Sequence, residues 1–229
     1  MQKSVIIVAG GSGTRMNANI PKQFLEISGK PIVIHTIEKF YSFDNSISII
    51  LALPEQHIPL WHKLVKKHNF NIPLQLVNGG ETRFDSVKNG LKMIENGIVA
   101  IHDAVRPLVS LDTIKRAFET AILKGNAIPS ILINDSIRIL DNSENKSLDR
   151  TNIRIIQTPQ CFNATLIKKA YNQDFDVSFT DDASVLEKTG EKINLTEGNQ
   201  ENIKITNPTD IIIANALYGK LSYNKPPAK

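Results

Sequence analysis

The chain has 229 residues, a formal net charge of +4, and 41% hydrophobic and 22% charged residues, which suits one α/β domain with a substantial core. Its lysines and arginines are scattered rather than gathered into a run, so the charge favours anionic small molecules and argues against a nucleic-acid partner. No segment approaches the roughly 20 apolar residues of a membrane helix, and the single cysteine, Cys161, excludes an internal disulfide.

The first predicted element is a short apolar run, residues 5–9, which stops at glycines. A β-branched run of this kind predicts a buried strand that breaks into a loop, where Gly10, Gly11 and Gly13 let backbone N–H groups approach a ligand closely. The dinucleotide-binding fingerprint would need a third glycine where Met16 stands, and the Gly-Lys-Ser/Thr of a P-loop occurs nowhere. The loop therefore matches neither of these two motifs, and we predict that its backbone N–H groups hold phosphate.

Two cations, Arg15 and Lys22, follow these glycines seven residues apart. A lone Lys or Arg is usually a solvated surface charge. Beside a nest of backbone amides, however, such cations neutralise phosphate charge where a phosphoryl group is transferred. We therefore predict that both bind phosphate.

Helical and strand periods alternate through the first half of the chain. The predicted helices are 31–40, 58–68, 81–94 and 111–124, and the predicted strands are 47–53, 74–77 and 98–102. Strands alternating with helices imply parallel βαβ units, so we predict an open, mostly parallel, doubly wound (Rossmann-like) α/β sheet. Ligands bind beyond the carboxyl ends of such strands, and the loops at 10–16, 79–86 and 103–106 should meet at one site.

Asp103 comes directly after the predicted strand 98–102. Its carboxylate could cap a turn or helix, or it could hold Mg²⁺ on a nucleoside triphosphate; we prefer the second interpretation and leave both open. His102 is interpreted as structural, because attack by a phosphate oxygen requires no proton removal near neutral pH.

The pattern changes between residues 127 and 157. Alternating strand-like runs at 136–140 and 153–156 flank a polar stretch whose only apolar residue is Leu148. This pattern predicts a projecting β-hairpin arm at about 136–157, inserted in a single domain that spans 1–229. Because exposed strand edges must be covered, we expect the arm to pair with a second copy in a homodimer.

The remaining predicted elements are helices at 164–171, 181–188 and 208–221, with strands near Ile193 and Ile203. Asp181 and Asp182 are interpreted as structural, because acidic residues are favoured at a helix N-terminus. Cys161 is predicted to be a small core residue, which is consistent with a reducing cytoplasm.

Six motifs occur in order along nearly the whole chain: Ala9-Gly-Gly-x-Gly-Thr-Arg-Met, Pro21-Lys-Gln, His102-Asp-Ala-x-Arg-Pro, Gln157-Thr-Pro-Gln, Thr180-Asp-Asp-Ala-Ser and Asn202-Ile-Lys-Ile-Thr. Together they resemble the motifs of the methylerythritol phosphate cytidylyltransferases of the non-mevalonate isoprenoid pathway. The first motif is shared by the wider nucleotidyltransferase and sugar pyrophosphorylase group, and the later ones are narrower. The resemblance implies a nucleotidyltransferase fold that converts CTP and 2-C-methyl-D-erythritol 4-phosphate into the CDP-alcohol and pyrophosphate, with Mg²⁺. It also implies a homodimer whose arm helps build the neighbour's site.

The resemblance assigns a role to each matching residue. The implied catalytic cations are Arg15, Lys22 and Lys204. The implied nucleotide-binding residues are Ala9, Gly10, Gly11, Gly13, Gly80, Ser86 and Asp103, and Asp103 is also the candidate Mg²⁺ ligand. The implied substrate-binding residues are Arg106, Ser136, Arg150, Thr158 and Thr180. Ser136 stands where the family commonly has threonine, and it keeps the hydroxyl.

Two alternatives remain. A ribitol phosphate or other polyol phosphate cytidylyltransferase would share Arg15, Lys22 and Asp103, although the motif at Thr180 and the position of Arg150 favour methylerythritol phosphate. A non-catalytic nucleotide-sensing dimer would be indicated by loss of the catalytic cations, and all of them are present.

Overall fold

Helices and strands alternate along the first half of the chain, in a computed structural model that describes residues 1–11, 20–141 and 144–223. The strands are β1 (Lys3–Val8), β2 (Glu26–Ile27), β3 (Lys30–Pro31), β4 (Ser48–Leu53), β5 (Gln75–Asn78), β6 (Ile98–Asp103), β7 (Asn126–Leu132), β8 (Ile137–Asp141), β9 (Glu144–Leu148), β10 (Arg154–Ile156), β11 (Gln160–Asn163) and β12 (Leu195–Glu197). The helices are α1 (Ile32–Phe43), α2 (Ile58–Lys67), α3 (Arg83–Leu91), α4 (Leu111–Lys124), α5 (Ala164–Ala170), α6 (Asp182–Glu187) and α7 (Pro208–Tyr223). Within the described residues, no helix has both the length and the apolar character needed to cross a bilayer.

The main sheet has eight strands in the order β10-β7-β11-β6-β1-β4-β5, with β12 paired to β7. Strands β6, β1, β4 and β5 are parallel to one another, whereas β11 lies antiparallel between β6 and β7. The prediction of a mostly parallel α/β sheet is confirmed. Its central strand β1 ends at Val8, so the glycine loop begins at the carboxyl edge, where ligands bind in this architecture.

Both faces of the sheet are covered, and alternate residues of β1 show how. Val5 and Ile7 pack in the cluster that contains buried residues of α1 and α4, whereas Ile6 packs in the cluster that contains buried residues of α3 and α5. Successive side chains of a strand point to opposite faces, so a strand covered on both faces is apolar throughout. This explains why the run at residues 5–9 is uninterrupted.

The predicted arm pairing is wrong. Residues 153–156 were expected to pair with 136–140, but β10 pairs with β7 in the main sheet, and β8 pairs with β9 in a separate two-stranded hairpin. Strand β9 is exposed along its whole length. With neither face buried, it has no apolar alternation from which a sequence pattern could detect it.

Three further segments differ from the predictions. No strand was predicted at β11, whose four residues are too few for a clear period. The strand expected near Ile203 is instead an irregular segment, in which the Ile205 N–H donates to the carbonyl of Val105 at 3.0 Å. The strand expected near Ile193 lies slightly later, as β12.

A glycine in α3 provides a test of this packing. A Cβ on Gly90 would lie 2.8 Å from Cγ2 of the buried Ile6 side chain, so we expect Gly90→Ala to destabilise the fold. Overpacking should outweigh the gain in helix propensity and lower the free energy of unfolding by about 1–2 kcal/mol in urea denaturation. Gly219 in α7 is the control, because no described atom other than its chain neighbours and the surrounding backbone of its own helix lies within 4 Å of its Cβ position. Gly219→Ala should be neutral or slightly stabilising; equal losses in both variants would contradict this account.

Candidate active site

The loop after β1 is fixed by a glutamine beside Lys22. The Gln23 side-chain amide donates to the carbonyl of Ala9 at 2.7 Å, and Gln23 is buried. This bond holds the short helical turn Lys22–Phe24 against the end of β1, so that Lys22 lies next to the glycines. A Cβ on Gly11 would lie 3.7 Å from Cε of Lys22. Gly13 and Arg15 lie outside the described residues.

A second loop, residues 79–86, folds back on the start of α3. The Gly80 N–H donates to Oγ of Ser86 at 3.1 Å, and that hydroxyl donates to the carbonyl of Thr82 at 3.0 Å. Thr82 and Asp85 form a reciprocal capping box, which fixes the first turn of the helix. A Cβ on Gly80 would lie 2.1 Å from the Cβ of Asp85, so this turn requires glycine.

These loops enclose a cavity of about 230 Å³ at the carboxyl edge of the sheet. Gly10 and Ser86 bring the two loops together, because a Cβ on Gly10 would lie 3.4 Å from the serine hydroxyl. The residues lining this nucleotide-side cavity include Ala9, Gly10, Gly11, Lys22, Gly80, Arg83, Ser86, Asp103 and Lys204. All the described residues to which the sequence assigned nucleotide-binding or catalytic roles are therefore next to one cavity.

The Asp103 carboxylate lies at the centre of three cations. Its Oδ2 is 3.1 Å from Nζ of Lys204 and 3.2 Å from Nε of Arg106, and its Oδ1 is 3.6 Å from Nε of Arg83. Burial by itself would raise the pKa of this carboxyl, but the three cations outweigh burial and hold the pKa well below its usual value of 3.8. Asp103 is therefore a carboxylate at neutral pH.

A second cavity, of about 250 Å³, lies on the other side of this cluster. Its lining includes Arg83, Asp103, Arg106, Gln157, Thr158, Gln160, Thr180 and Lys204. We call it the substrate-side cavity, because it contains three of the five residues assigned to the second substrate. Both cavities share Arg83, Asp103 and Lys204, which form the wall between them.

A buried hydrogen-bond chain orients Thr158 toward this wall. Nε2 of His102 is 3.1 Å from the carbonyl of Arg106, which can only accept, so this nitrogen carries the proton. Nδ1 then accepts from the Thr158 hydroxyl at 2.9 Å, and the hydroxyl oxygen accepts from the N–H of Asp103 at 3.1 Å. Burial lowers the pKa of His102 to about 4, so the ring is neutral and structural.

Ser136 and Arg150 are not brought to either cavity. Both are exposed, and Arg150 donates to the carbonyl of Asn134 near the base of the arm. Neither residue lines the nucleotide-side or the substrate-side cavity of its own chain.

Two residues that the sequence did not single out for the site contribute to the wall. Arg83 falls within the loop 79–86 that was predicted to meet the site, but no role was assigned to it, and Asp182 was interpreted as a helix-start residue. Their side chains form a bidentate ion pair with two N–O distances of 2.7 Å, and Asp182 is fully buried. Because they are 99 residues apart, no local pattern could have paired them.

Asn202 contributes to the substrate side from a buried position. Its carbonyl accepts from Nη1 of Arg106, and its side-chain amide donates to the carbonyl of Thr158, both at 2.8 Å. The motif that begins at Asn202 was noted for Lys204 alone. The fully buried Asn202 side chain is a signal visible only in the folded chain.

Residues 4–220 match the family model described as 2-C-methyl-D-erythritol 4-phosphate cytidylyltransferase. A Bacteroides thetaiotaomicron protein of that name is 46% identical over 218 residues, covering 95% of this chain and 100% of its own. A Clostridium botulinum protein of the same name is 39% identical, covering 96% and 99%.

Solved structures give the same result. A 4-diphosphocytidyl-2C-methyl-D-erythritol synthase from Anaerococcus prevotii superposes with a TM-score of 0.81 at 28% identity, covering 95% of this chain and 96% of its own. A 2-C-methyl-D-erythritol 4-phosphate cytidylyltransferase from Francisella tularensis superposes with a TM-score of 0.78 at 31% identity, covering 94% and 99%.

The buried histidine predicts a pH dependence of stability. His102 has an ordinary pKa of 6.5, and its folded-state pKa is about 4, so the unfolded chain takes up a proton in a range where the folded chain does not. Stability therefore falls as the pH drops from 7 to 5, by about 2 kcal/mol from this residue. In urea denaturation at both pH values, His102→Gln should reduce the pH-dependent loss by about that amount. Equal losses in parent and variant would disprove the assignment.

Proposed function

This chain belongs to the 2-C-methyl-D-erythritol 4-phosphate cytidylyltransferase family, and from that premise we propose that it transfers CMP from CTP to 2-C-methyl-D-erythritol 4-phosphate in isoprenoid precursor biosynthesis. The products are 4-diphosphocytidyl-2-C-methyl-D-erythritol and pyrophosphate. The observation that carries the proposal is the wall of Arg83, Asp103 and Lys204 shared by two cavities. A two-substrate reaction requires two pockets that meet where the bond forms.

In this reaction a phosphate oxygen of methylerythritol phosphate attacks the α-phosphorus of CTP in line. The new P–O bond forms as the bond to the β-phosphate oxygen breaks, and the electron pair leaves with pyrophosphate. No covalent enzyme intermediate is needed, so catalysis comes from positioning and charge neutralisation. We assign the neutralising charges to Arg15, Lys22 and Lys204.

The nucleotide-side cavity has the chemistry to take CTP. Backbone groups at Ala9, Gly10 and Gly11 lie at the end of β1, and the loop that bears Gly80 and Ser86 supplies polar groups opposite them. We propose that the glycines hold the triphosphate and that the loop recognises the cytidine. The fixed geometry of the Gly80 turn supports a base-recognition role, because discrimination between bases requires rigid donors and acceptors.

The substrate-side cavity suits a polyol phosphate. Arg106 offers a guanidinium, Thr180 offers a hydroxyl, and Asp103 offers a carboxylate that can accept hydrogen bonds from alcohol groups. The Thr158 hydroxyl already donates to Nδ1 of His102, so Thr158 contributes to the wall of the cavity rather than a donor. We propose that the cations and Thr180 bind the phosphate and that Asp103 orients the polyol and Lys204. The low pKa of Asp103 supports this role, because only the ionised form accepts at both oxygens.

We propose Mg²⁺ as the cofactor. No group of three or more His, Cys, Asp or Glu side chains suited to a metal occurs within the described residues, so a cage made of protein alone is not supported. One carboxylate plus substrate phosphates is nevertheless the usual way to hold Mg²⁺, and Oδ1 of Asp103 has no cation within 3.5 Å among the described side chains. The donor set therefore fits a metal held mainly by CTP. Bound there, Mg²⁺ would neutralise phosphate charge.

We also propose a cytoplasmic homodimer in which the β8–β9 arm reaches the neighbour's substrate-side cavity. The arm exposes Ile139 and Leu140, with 53% and 78% of their surface accessible, and such apolar side chains favour burial against a partner. Ser136 and Arg150 lie away from the cavities of their own chain, so a neighbouring chain is the available route for their predicted role. The sole cysteine, Cys161, is buried and free, which supports a reducing compartment.

The substrate assignment is tested by pyrophosphate release with CTP and Mg²⁺. Methylerythritol phosphate should be turned over with a kcat/KM at least about 100-fold above that of ribitol 5-phosphate, because site polar groups left unpaired by the wrong substrate are costly. EDTA should abolish both rates. Turnover of ribitol 5-phosphate without turnover of methylerythritol phosphate would replace the proposed substrate, and inactivity with both would favour a nucleotide-sensing dimer.

The arm is tested by mixing two inactive variants. Arg150→Ala and Lys204→Met should each be nearly inactive alone. In a mixed dimer, the Arg150→Ala chain keeps its own Lys204 and receives an intact Arg150 from its neighbour, so statistical mixing should restore about a quarter of parental activity.

The matched control mixes Lys22→Ala with Lys204→Met. Both residues belong to the cavity of their own chain, so every site in this mixture keeps one defect and activity should stay absent. Failure of the first mixture to recover, with dimers confirmed by sedimentation, would show that Arg150 does not act across the interface.

A further inference from the structure

Arg83 is a cation at the reacting position to which no catalytic role has yet been given. It lines both cavities, and 30% of its side chain is exposed there. Its two companions in the shared wall, Asp103 and Lys204, already have roles in the reaction. If the proposed function is right, the transferred phosphate passes along this wall, and Arg83 faces it.

The guanidinium of Arg83 is bound by Asp182, a residue that lines neither cavity. Its Nη1 and Nη2 donate to Oδ1 and Oδ2 of Asp182, each at 2.7 Å. The Tyr171 hydroxyl donates to the same Oδ1 at 2.6 Å, and both partners are at most 2% exposed. The buried Asp182 carboxylate fixes the orientation of the Arg83 guanidinium, because two parallel hydrogen bonds allow only one relative orientation of the two groups. The Tyr171 hydroxyl in turn fixes the carboxylate.

Donor capacity remains on the side that faces the cavities. Arginine has five N–H groups, and two of them bind Asp182. The Nε of Arg83 is 3.6 Å from Oδ1 of Asp103, which is too far for a hydrogen bond, so among the described residues three N–H groups have no hydrogen-bond partner. Because 30% of the side chain is exposed to the cavities, these N–H groups are accessible, and an incoming phosphate oxygen can accept from them.

The charge balance around the wall agrees with this view. The ion pairs of this cluster join three cations, Arg83, Arg106 and Lys204, to two carboxylates, Asp103 and Asp182, so the ion-paired cluster itself carries a surplus positive charge. Lys22 and two further carboxylates, Glu81 and Asp181, line the cavities outside these ion pairs. A transferred phosphoryl group spreads negative charge over its non-bridging oxygens, and fixed cations that meet that charge stabilise the transition state without reorganising.

We propose that Arg83 is a further catalytic cation, which binds one non-bridging oxygen of the transferred phosphate where the two cavities meet, and that Asp182 and Tyr171 are positioning residues that hold its guanidinium there. The proposal rests on the proposed function and deepens it.

The test compares Arg83→Met, Arg83→Lys, Asp182→Asn and Tyr171→Phe with Arg116→Met. Arg116 is the matched control, because it lies on α4, away from both cavities, and donates to the carbonyl of Glu197. Arg83→Met should lower kcat by about 100-fold or more while the KM values for CTP and the polyol phosphate change little, because the contact strengthens in the transition state. Arg83→Lys should recover only part of the loss, because an ammonium cannot bind Asp182 with two parallel bonds.

Tyr171→Phe decides the question if Arg83→Met does not fold. This change removes the hydroxyl that donates to Asp182 and leaves the Arg83–Asp182 ion pair, so kcat should fall about fivefold at an unchanged KM. The kcat of Asp182→Asn should fall further, because that change removes the charge of the ion pair's carboxylate. Parental kcat in Tyr171→Phe, or a loss confined to KM in the Arg83 variants, would overturn the proposal.

A second measurement distinguishes a direct contact between Arg83 and the transferred phosphate from an indirect effect, in which Arg83 only stabilises the Asp103 carboxylate. The two α-thio diastereomers of CTP place sulfur at different non-bridging positions, and a guanidinium on one oxygen makes the enzyme discriminate between them. Arg83→Met should reduce that discrimination about tenfold, and an unchanged ratio would overturn the direct contact. All variants are assayed with whichever polyol phosphate the parent turns over. A failure of the methylerythritol assignment is therefore visible in the parent, and a failure of the Arg83 proposal is visible in the variants.

Discussion

The negative charge of Asp103 is nearly enclosed, and three cations converge on it from separate segments: Arg83 from α3, Arg106 from the loop after β6, and Lys204 from the irregular segment near the C-terminus. Burial alone would favour the protonated acid, and the cations reverse that preference. One carboxylate therefore ties three parts of the chain into the wall between the two cavities. Without its charge, three cations would face one another across a poorly solvated space.

The substrate side depends on a strand that runs antiparallel to both of its neighbours. Strand β11 is antiparallel to β6, with Gln160 opposite Ile101, so its first residues lie at the edge where β6 ends. The segment that enters β11 carries Thr158, and the hydroxyl of Thr158 reaches the backbone N–H of Asp103. A parallel strand in this position would deliver its preceding loop to the opposite edge. The reversal thus lets one edge of the sheet carry both halves of the site.

A buried amide cluster holds Lys204 in reach of the wall. The Gln157 side chain donates to the carbonyl of Asn199 and accepts from its N–H, while Asn202 joins Arg106 to the carbonyl of Thr158. Lys204 itself is 45% exposed in its side chain, as a residue that meets an incoming phosphate must be. The rigid part of this segment is therefore its buried amides, and the charged end projects from them into the cavities.

The amino-acid sequence by itself determined the features that are written in neighbouring residues. The apolar run before Gly10, the alternation of strands and helices, and the position of Asp103 at a strand end all follow from local periodicity and backbone preferences, and they were enough to predict the mostly parallel sheet and the nucleotide-side loops. The six motifs, taken together, also predicted the family. Tertiary structure alone decided that Arg83 pairs with Asp182 across 99 residues, that β9 rather than residues 153–156 completes the arm, and that β11 enters the sheet in reverse. These features depend on which distant surfaces come into contact, and burial of a charge or pairing of an exposed strand leaves no period in the sequence.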